Sequence, residues 1–151
     1  MSIYFINKNS KQTMGVMALD FGDKTIGVAV SDPRGVVAMG IETIGRRQPF
    51  GVNRSISRIR ELVRLYNITS IIVGYPKNMN NTEGERCEAT LWFKEKLERR
   101  LKNLPVSLWD ERLSTAAALL TKGKTADPSQ IDTMAAAYIL QGFLDFLNQD
   151  F

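Results

Sequence analysis

Residues 16–44 read VMALDFGDKTIGVAVSDPRGVVAMGIETI, and they contain three short runs rich in apolar and β-branched residues. The runs are separated by DK at 23–24 and by DPRG at 32–35, which are turn sequences. Short turns join antiparallel strands, whereas parallel strands need a long crossover connection. This segment therefore predicts an antiparallel meander of three strands.

Two helices, each with one apolar side, are predicted after the meander. The first spans Asn53 to Tyr66 and the second spans Arg86 to Lys102. In both, apolar residues recur at the three- and four-residue spacing of an α-helix. The predicted inward sides are formed by Ile56, Ile59, Val63 and Tyr66 in the first helix and by Thr90, Phe93, Leu97 and Leu101 in the second.

Strand patterns alternate with these helices. Residues 70–74 (SIIVG) are a continuous apolar run, typical of a strand buried on both faces. A fifth strand is predicted from Pro105 to Trp109, then a short helix capped by Ser114, then a last helix from about Ile131 to Leu147. The order βββαβαβαα predicts an α/β domain. Its mixed five-stranded sheet has three antiparallel strands followed by parallel strands, with helices on both faces.

The composition limits the kinds of site that are possible. The chain has 151 residues, of which 44% are hydrophobic, enough for a single domain at 14–151 after a polar extension at 1–13. A single cysteine, Cys87, excludes an internal disulfide, and the absence of histidine excludes zinc sites built from histidine and cysteine. Any metal must therefore be held by oxygen ligands.

Charge and hydropathy favour a cytoplasmic protein with an acidic partner. No run approaches the roughly 18 apolar residues of a membrane span, and the N-terminus lacks a secretory signal pattern. We therefore expect a cytoplasmic protein with no membrane association. The net charge of +4 fits a nucleic-acid partner, although small ribosome-associated and metabolic proteins also carry such an excess.

Asp20 is the first candidate for a functional site. Alternation along the first strand places it on the face of Val16 and Ala18, and away from the residues between them. A carboxylate at the end of a strand lies above the edge of a sheet. Asp20 can equally begin the turn that contains Gly22, as aspartate often does.

Further acidic candidates lie later in the chain. Asp110 and Glu111 follow the fifth strand and precede the Ser114 cap, so one of the two is expected to point over the sheet. Alternatively, the pair serves the turn or binds Arg112. Asp132 aligns with the apolar side of the last helix, where a buried carboxylate needs a partner. Its alternative role is a helix N-terminal residue favoured by the macrodipole.

Together these acidic residues predict a divalent-metal site. Clustered carboxylates repel one another unless a cation neutralises them, and Mg²⁺ or Mn²⁺ accepts such oxygen ligands. Two ions roughly 4 Å apart could activate a water and stabilise the leaving oxygen of a phosphodiester without a histidine. The polar residues expected to contact phosphates or substrate are Lys24, Lys77, Asn78, Asn80, Arg112, Ser114, Thr115, Lys122 and Lys124.

Four blocks of sequence resemble one known family. LDFGDKTIGVAVSD, IIVGYPKNMNNTEG, DERLST and IDTMAAAYILQGFLD follow the order and spacing of the YqgF family, also called RuvX, of pre-16S ribosomal RNA nucleases. The match spans residues 14–145. The resemblance implies an RNase H-like fold related to the RuvC Holliday-junction resolvases. It also implies a catalytic, metal-binding acidic site at Asp20, Glu111 and Asp132, with Asp110 as the alternative second ligand.

The chain departs from RuvC-type resolvases at one place and from the family pattern at two. RuvC-type resolvases carry an acidic residue at the end of the fourth strand, where this chain has Gly74 and Tyr75, so the second ligand is expected from the DER motif. A second basic residue commonly follows Lys24 in the family, whereas this chain has Thr25. The loop KGKTADPSQ is also less basic than in many members. Substrate contacts are therefore expected to differ.

The resemblance implies phosphodiester hydrolysis in 5′-end processing of pre-16S rRNA. The alternative enzyme is a Holliday-junction resolvase that cuts branched DNA, and a monomer and a homodimer are both compatible with the sequence. A non-catalytic RNA-binding maturation factor would explain the basic charge but not the acidic residues. The hairpin DFGDKTIG is also similar to the phosphate-binding turn of actin-like ATPases. Those proteins bind nucleotide between two such domains. The 151 residues contain one copy of the hairpin, which disfavours a nucleotide-binding role.

Overall fold

Five strands form one mixed sheet in the computed structural model, which describes residues 15–46, 51–76, 84–110 and 128–149. The strands are β1 (Val16–Phe21), β2 (Thr25–Ser31), β3 (Ala38–Gly45), β4 (Ser70–Tyr75) and β5 (Val106–Asp110). Their order across the sheet is β3-β2-β1-β4-β5. The first three strands pair antiparallel, whereas β4 pairs parallel to both β1 and β5. The predicted meander and the mixed five-stranded sheet are both confirmed.

Within the described parts of the chain, three helices cover the two faces of this sheet. They are α1 (Val52–Leu65), α2 (Glu85–Arg100) and α3 (Pro128–Leu147). Helices α1 and α2 share one hydrophobic core with one face of the sheet, and α3 shares a second core with the other face. The prediction of helices on both faces is therefore confirmed. The short helix predicted after Ser114 lies outside the described residues.

The central strand β1 divides its side chains between the two cores. Met17 and Leu19 pack with α1 and α2, while Val16 and Ala18 pack with α3. Side chains alternate between the faces of a strand, so each core receives every second residue. Strand β4 is buried along nearly its whole length, as expected for a central strand covered by helices on both sides.

The buried side of helix α1 differs in part from the predicted side. Ile56 and Ile59 are buried as expected, but Leu62 lies in the core while Tyr66 is 39% exposed. The prediction for Tyr66 was wrong because the helix ends at Leu65, one residue before it. Asn67 then has a φ of 52°, and this left-handed conformation turns the chain towards β4.

Helix α3 begins at Pro128, a few residues before the predicted start near Ile131. Proline is tolerated in the first turn of a helix, where its missing N–H has no intrahelical acceptor to lose. The buried side of α3 consists of Ala136, Ile139, Leu140, Phe143 and Leu144. Across the four described ranges, no helix is long and apolar enough to span a bilayer.

Candidate functional site

Asp20 lies near the end of β1 on the face covered by α3. It follows Ala18 at a two-residue interval, and Ala18 belongs to the core that α3 completes. Its partner across the antiparallel ladder is Gly27 on β2. Residues directly opposite in such a ladder point to the same face. The side chain of Asp20 and the α-hydrogen of Gly27 that takes the place of a side chain are therefore neighbours on the face covered by α3.

Two glycines allow the beginning of α3 to approach the sheet closely. A Cβ at Gly27 would overlap the backbone carbonyl oxygen of Asp132. On the neighbouring strand, a Cβ at Gly40 would lie 2.9 Å from the carbonyl oxygen of Thr133. Both positions need a residue without a side chain. The glycines thus bring Asp132 down onto β2, on the same face as Asp20.

The side chain of Asp132 is held by a hydrogen bond from β2. The hydroxyl Oγ1 of Thr25 donates to Oδ2 of Asp132 over 2.8 Å. Both residues are half-buried, at the edge between core and solvent. An inward carboxylate on this helix was expected to need a partner, and Thr25 supplies one. The bond joins residues 107 positions apart in the chain.

Asp110 lies on the opposite face of the sheet by the alternation of β5. Its neighbour Trp109 packs against α3, with its ring 5.4 Å from that of Phe143 and 5.6 Å from that of Phe146. Leu108 packs with the core of α1 and α2. Adjacent strand residues face opposite ways, so Asp110 shares the side of Leu108 and not that of Asp20.

Lys24 is exposed in the turn that follows Asp20, at the same end of the sheet. The turn is held by Arg46, whose backbone N–H donates to the carbonyl of Lys24 over 2.8 Å. The guanidinium of Arg46 donates from Nη1 to the carbonyl of Gly22 and lies 4.1 Å from the ring centroid of Phe21. Partial burial lowers the pKa of Arg46, and the charge of nearby Asp23 opposes that shift.

Sequence reasoning missed Arg46 as a part of this region. The available signal was the arginine pair at 46–47 directly after the third strand, but the contact with the β1–β2 turn is visible only in the folded chain. Arg46 supports the turn from the face of α1 and α2, where it covers the ring of Phe21. It is therefore a structural support for Lys24.

The remaining predicted site residues lie outside the described residues and stay predictions. They are Lys77, Asn78, Asn80, Glu111, Arg112, Ser114, Thr115, Lys122 and Lys124.

The carboxylates of Asp20 and Asp132 suit a hard divalent cation, which prefers oxygen ligands. Within the described ranges, no group of three or more His, Cys, Asp or Glu side chains could hold a metal ion. The third predicted ligand, Glu111, is outside those ranges. The structure therefore brings two of the predicted ligands to one face of the sheet and leaves the third as a prediction.

This architecture is the RNase H-like fold of RuvC-type nucleases. The structure of Thermus thermophilus RuvC in complex with a Holliday junction substrate has a TM-score of 0.59 at 15% sequence identity, over 89% of this chain and 96% of RuvC. The yeast mitochondrial Holliday junction resolvase Ydc2 has a TM-score of 0.50 at 13% identity, over 87% of this chain and 78% of Ydc2. At these identities the likeness establishes the fold alone.

The chain belongs to the RuvX family, whose model, described as Holliday junction resolvase, matches residues 14–146. A relative from Agathobacter rectalis is 46% identical over 140 residues, which cover 89% of this chain and 97% of the relative. A relative from Listeria monocytogenes is 48% identical over 144 residues, covering 89% of this chain and all of the relative. Both carry the name "Putative pre-16S rRNA nuclease". The family resemblance of the four sequence blocks is confirmed.

Proposed function

We propose that this protein is a divalent-metal-dependent nuclease that hydrolyses phosphodiester bonds in the 5′-end processing of pre-16S rRNA. The names of relatives that are 46% and 48% identical support the RNA substrate. The observation that carries the proposal in the structure is the placement of Asp132 over Gly27, the cross-strand partner of Asp20. Two carboxylates from opposite ends of the chain thereby share one face at the end of β1.

The two carboxylates would hold Mg²⁺ or Mn²⁺ together with Glu111. A divalent ion bound there would supply Lewis-acid activation of a water and of the phosphodiester. Asp20 is placed by the β1–β2 ladder, and Asp132 is placed by the close packing of α3. Carboxylates fixed by such elements need little rearrangement to bind a cation.

Lys24 would contact a phosphate of the substrate backbone. Its turn directly follows Asp20 and is tied to Arg46 through two backbone carbonyls. A lysine ammonium contributes a mobile positive charge to phosphate binding, and such contacts position nucleic acid without reading its sequence. The net charge of +4 is in keeping with this role.

A second candidate is the cleavage of branched DNA. It is suggested by the description of the family model, Holliday junction resolvase. The names of the relatives that share nearly half of this sequence favour pre-16S rRNA instead. We therefore keep the DNA junction as a competing substrate in the experiment.

The experiment compares three aspartate variants on two substrates. Wild type, Asp20→Asn, Asp132→Asn and Asp145→Asn are incubated with labelled pre-16S rRNA and with a four-way DNA junction, in Mg²⁺, in Mn²⁺ and in EDTA. Asp145 is exposed on the same helix as Asp132, roughly 20 Å further along its axis, so it is the matched control. The folded state of each variant is checked by circular dichroism.

The proposal predicts cleavage of the RNA that requires metal, Asp20 and Asp132, with Asp145→Asn like wild type. Preferential cleavage of the DNA junction with the same requirements would favour the second candidate. If wild type and all variants bind the RNA equally well and none of them cleaves it, the nuclease proposal is overturned and a non-catalytic RNA-binding factor becomes the better account.

A further inference from the structure

We propose that Thr25 positions the carboxylate of Asp132 for cation binding, an inference that rests on the metal-dependent function proposed above. The hydroxyl of Thr25 donates to Oδ2 of Asp132 over 2.8 Å. Thr25 is the first residue of β2, and its strand also carries Gly27, over which the backbone of Asp132 lies. One short segment therefore contacts both the backbone and the side chain of Asp132.

These two contacts restrict different parts of Asp132. Gly27 lets the helix backbone approach the strand, but it lies against backbone atoms of Asp132 and does not itself hold the side chain. The bond from Thr25 holds the side chain at Oδ2. Threonine is suited to this because its branched Cβ restricts its own side-chain rotation. A hydrogen bond to a carboxylate is also stronger than one between neutral groups.

The geometry leaves part of the carboxylate available to a cation. Thr25 has a single hydroxyl hydrogen, and it is directed to Oδ2. A carboxylate accepts at about four lone-pair positions, so Oδ1 and one position on Oδ2 are not occupied by this bond. Groups that hydrogen-bond to a metal ligand fix its orientation and affect metal affinity. Thr25 would act in this way, through Asp132 and without contact to the ion.

Two other threonines, Thr69 and Thr90, use their hydroxyls differently. Thr90 donates to the carbonyl of Arg86 one turn earlier in its own helix, and Thr69 donates to the carbonyl of Gly15. Their acceptors are backbone carbonyls, which bear no formal charge. Thr25 instead connects a strand to the carboxylate of a helix distant in sequence, on the face that also carries Asp20. This combination distinguishes a positioning role from a local backbone contact.

The test measures cation binding directly and does not depend on a substrate. Mn²⁺ is titrated into the full-length protein, and free Mn²⁺ is followed by electron paramagnetic resonance. The variants form two pairs that differ in the hydroxyl, namely wild type with Thr25→Val and Thr25→Ser with Thr25→Ala. Thr69→Val is the matched control, since Thr69 lies at the other end of the sheet, beside Gly15. Urea unfolding of each variant reports any loss of stability separately.

We expect Thr25→Val and Thr25→Ala to weaken Mn²⁺ binding by about 10- to 100-fold, the usual cost of losing a group that orients a metal ligand. Thr25→Ser and Thr69→Val should bind Mn²⁺ nearly as wild type does. The pair Thr25→Ser and Thr25→Ala keeps the test informative if the extra methyl group of valine disturbs folding. A second expected result is that the concentration of Mn²⁺ needed for half-maximal RNA cleavage rises in parallel.

Two negative results have different meanings. If wild type binds Mn²⁺ in a manner that needs Asp132, but Thr25→Val and Thr25→Ala bind equally well, the positioning role is overturned and the proposed nuclease stands. If the Thr25 variants change the urea unfolding midpoint but not the affinity for Mn²⁺, Thr25 likewise has a structural role and no positioning role. If wild type and Asp132→Asn both fail to bind Mn²⁺, the proposed metal-dependent function fails, and the role of Thr25 fails with it.

Discussion

The backbone carbonyl oxygen of Asp132 occupies the space that a Cβ would need at Gly27. This contact joins the first turns of α3 to β2, and Gly27 is paired with Asp20 across the antiparallel ladder. A packing requirement and the proposed metal site therefore coincide at one residue. Any side chain at Gly27 must push α3 away from the sheet, and Asp132 would move away from Asp20 with it.

We expect Gly27→Ala to lower the free energy of unfolding by about 1–3 kcal/mol, the usual cost of overpacking a close contact. Metal-dependent cleavage should fall sharply at the same time, because the two carboxylates separate. Gly45→Ala is the control, since a Cβ there has no heavy atom within 4 Å. Urea unfolding and the RNA cleavage assay measure both effects. Unchanged stability and cleavage in Gly27→Ala would contradict the described packing of α3.

Phe93 should be among the most costly side chains to truncate. It is fully buried, and its ring stacks on Phe21 with 4.2 Å between centroids and 9° between planes. We expect Phe93→Ala to reduce the free energy of unfolding by about 3–5 kcal/mol, since it leaves a cavity between α2 and the sheet. Leu91 on the same helix is 39% exposed, so Leu91→Ala should have a much smaller effect. Equal urea midpoints for the two variants would refute this difference.

Local sequence patterns predict much of the fold, but they do not predict much of the candidate site. Alternation in β1 assigns Val16 and Ala18 to one core, and the same two-residue period places Asp20 beside them. Tyr66 was misassigned because helical periodicity does not reveal where a chain leaves the helix. The bond between Thr25 and Asp132 spans 107 residues, and local sequence carries no signal for such a contact.

The turn between β2 and β3 should contribute stability that depends on pH through Asp32. Its Oδ1 accepts the backbone N–H groups of Val36 and Val37 at 2.8 and 2.9 Å. The hydrogen bonds from Val37 and Val36, with a smaller effect of Arg34, lower the pKa of Asp32 to about 2. The unfolded value is near 3.9. The folded state therefore gains stability from the ionised group above roughly pH 4 and loses it as the pH falls towards 2.

Asp32→Asn tests this dependence, because asparagine retains an acceptor oxygen but does not titrate. The urea midpoint of wild type should exceed that of Asp32→Asn at neutral pH. The difference should shrink as the pH is lowered from about 4 to about 2, because Asp32 in wild type becomes increasingly protonated over this range. A difference that grows over this range would mean that the pKa of Asp32 is raised and not lowered by folding.

Of the two neighbouring acids Asp110 and Glu111, the structure describes Asp110, and the alternation of β5 decides which face of the sheet it lies on. Trp109 faces α3, so Asp110 faces α1 and α2, away from Asp20. A second metal ligand from this motif is therefore expected to be Glu111. We predict that Glu111→Gln reduces RNA cleavage by more than about 100-fold, since a direct ligand should matter more than an outer partner. Asp110→Asn should retain metal-dependent cleavage.

This pair of variants is closely matched, because each removes one negative charge from adjacent positions and preserves the shape of the side chain. A general electrostatic effect on RNA binding would therefore appear in both, as a similar rise in KM. A ligand role for one residue appears as a loss of kcat and of Mn²⁺ binding in that variant alone. The opposite result would be an Asp110→Asn variant that loses kcat and Mn²⁺ binding while Glu111→Gln stays active. It would mean that β5 twists beyond Trp109 and turns Asp110 towards Asp20.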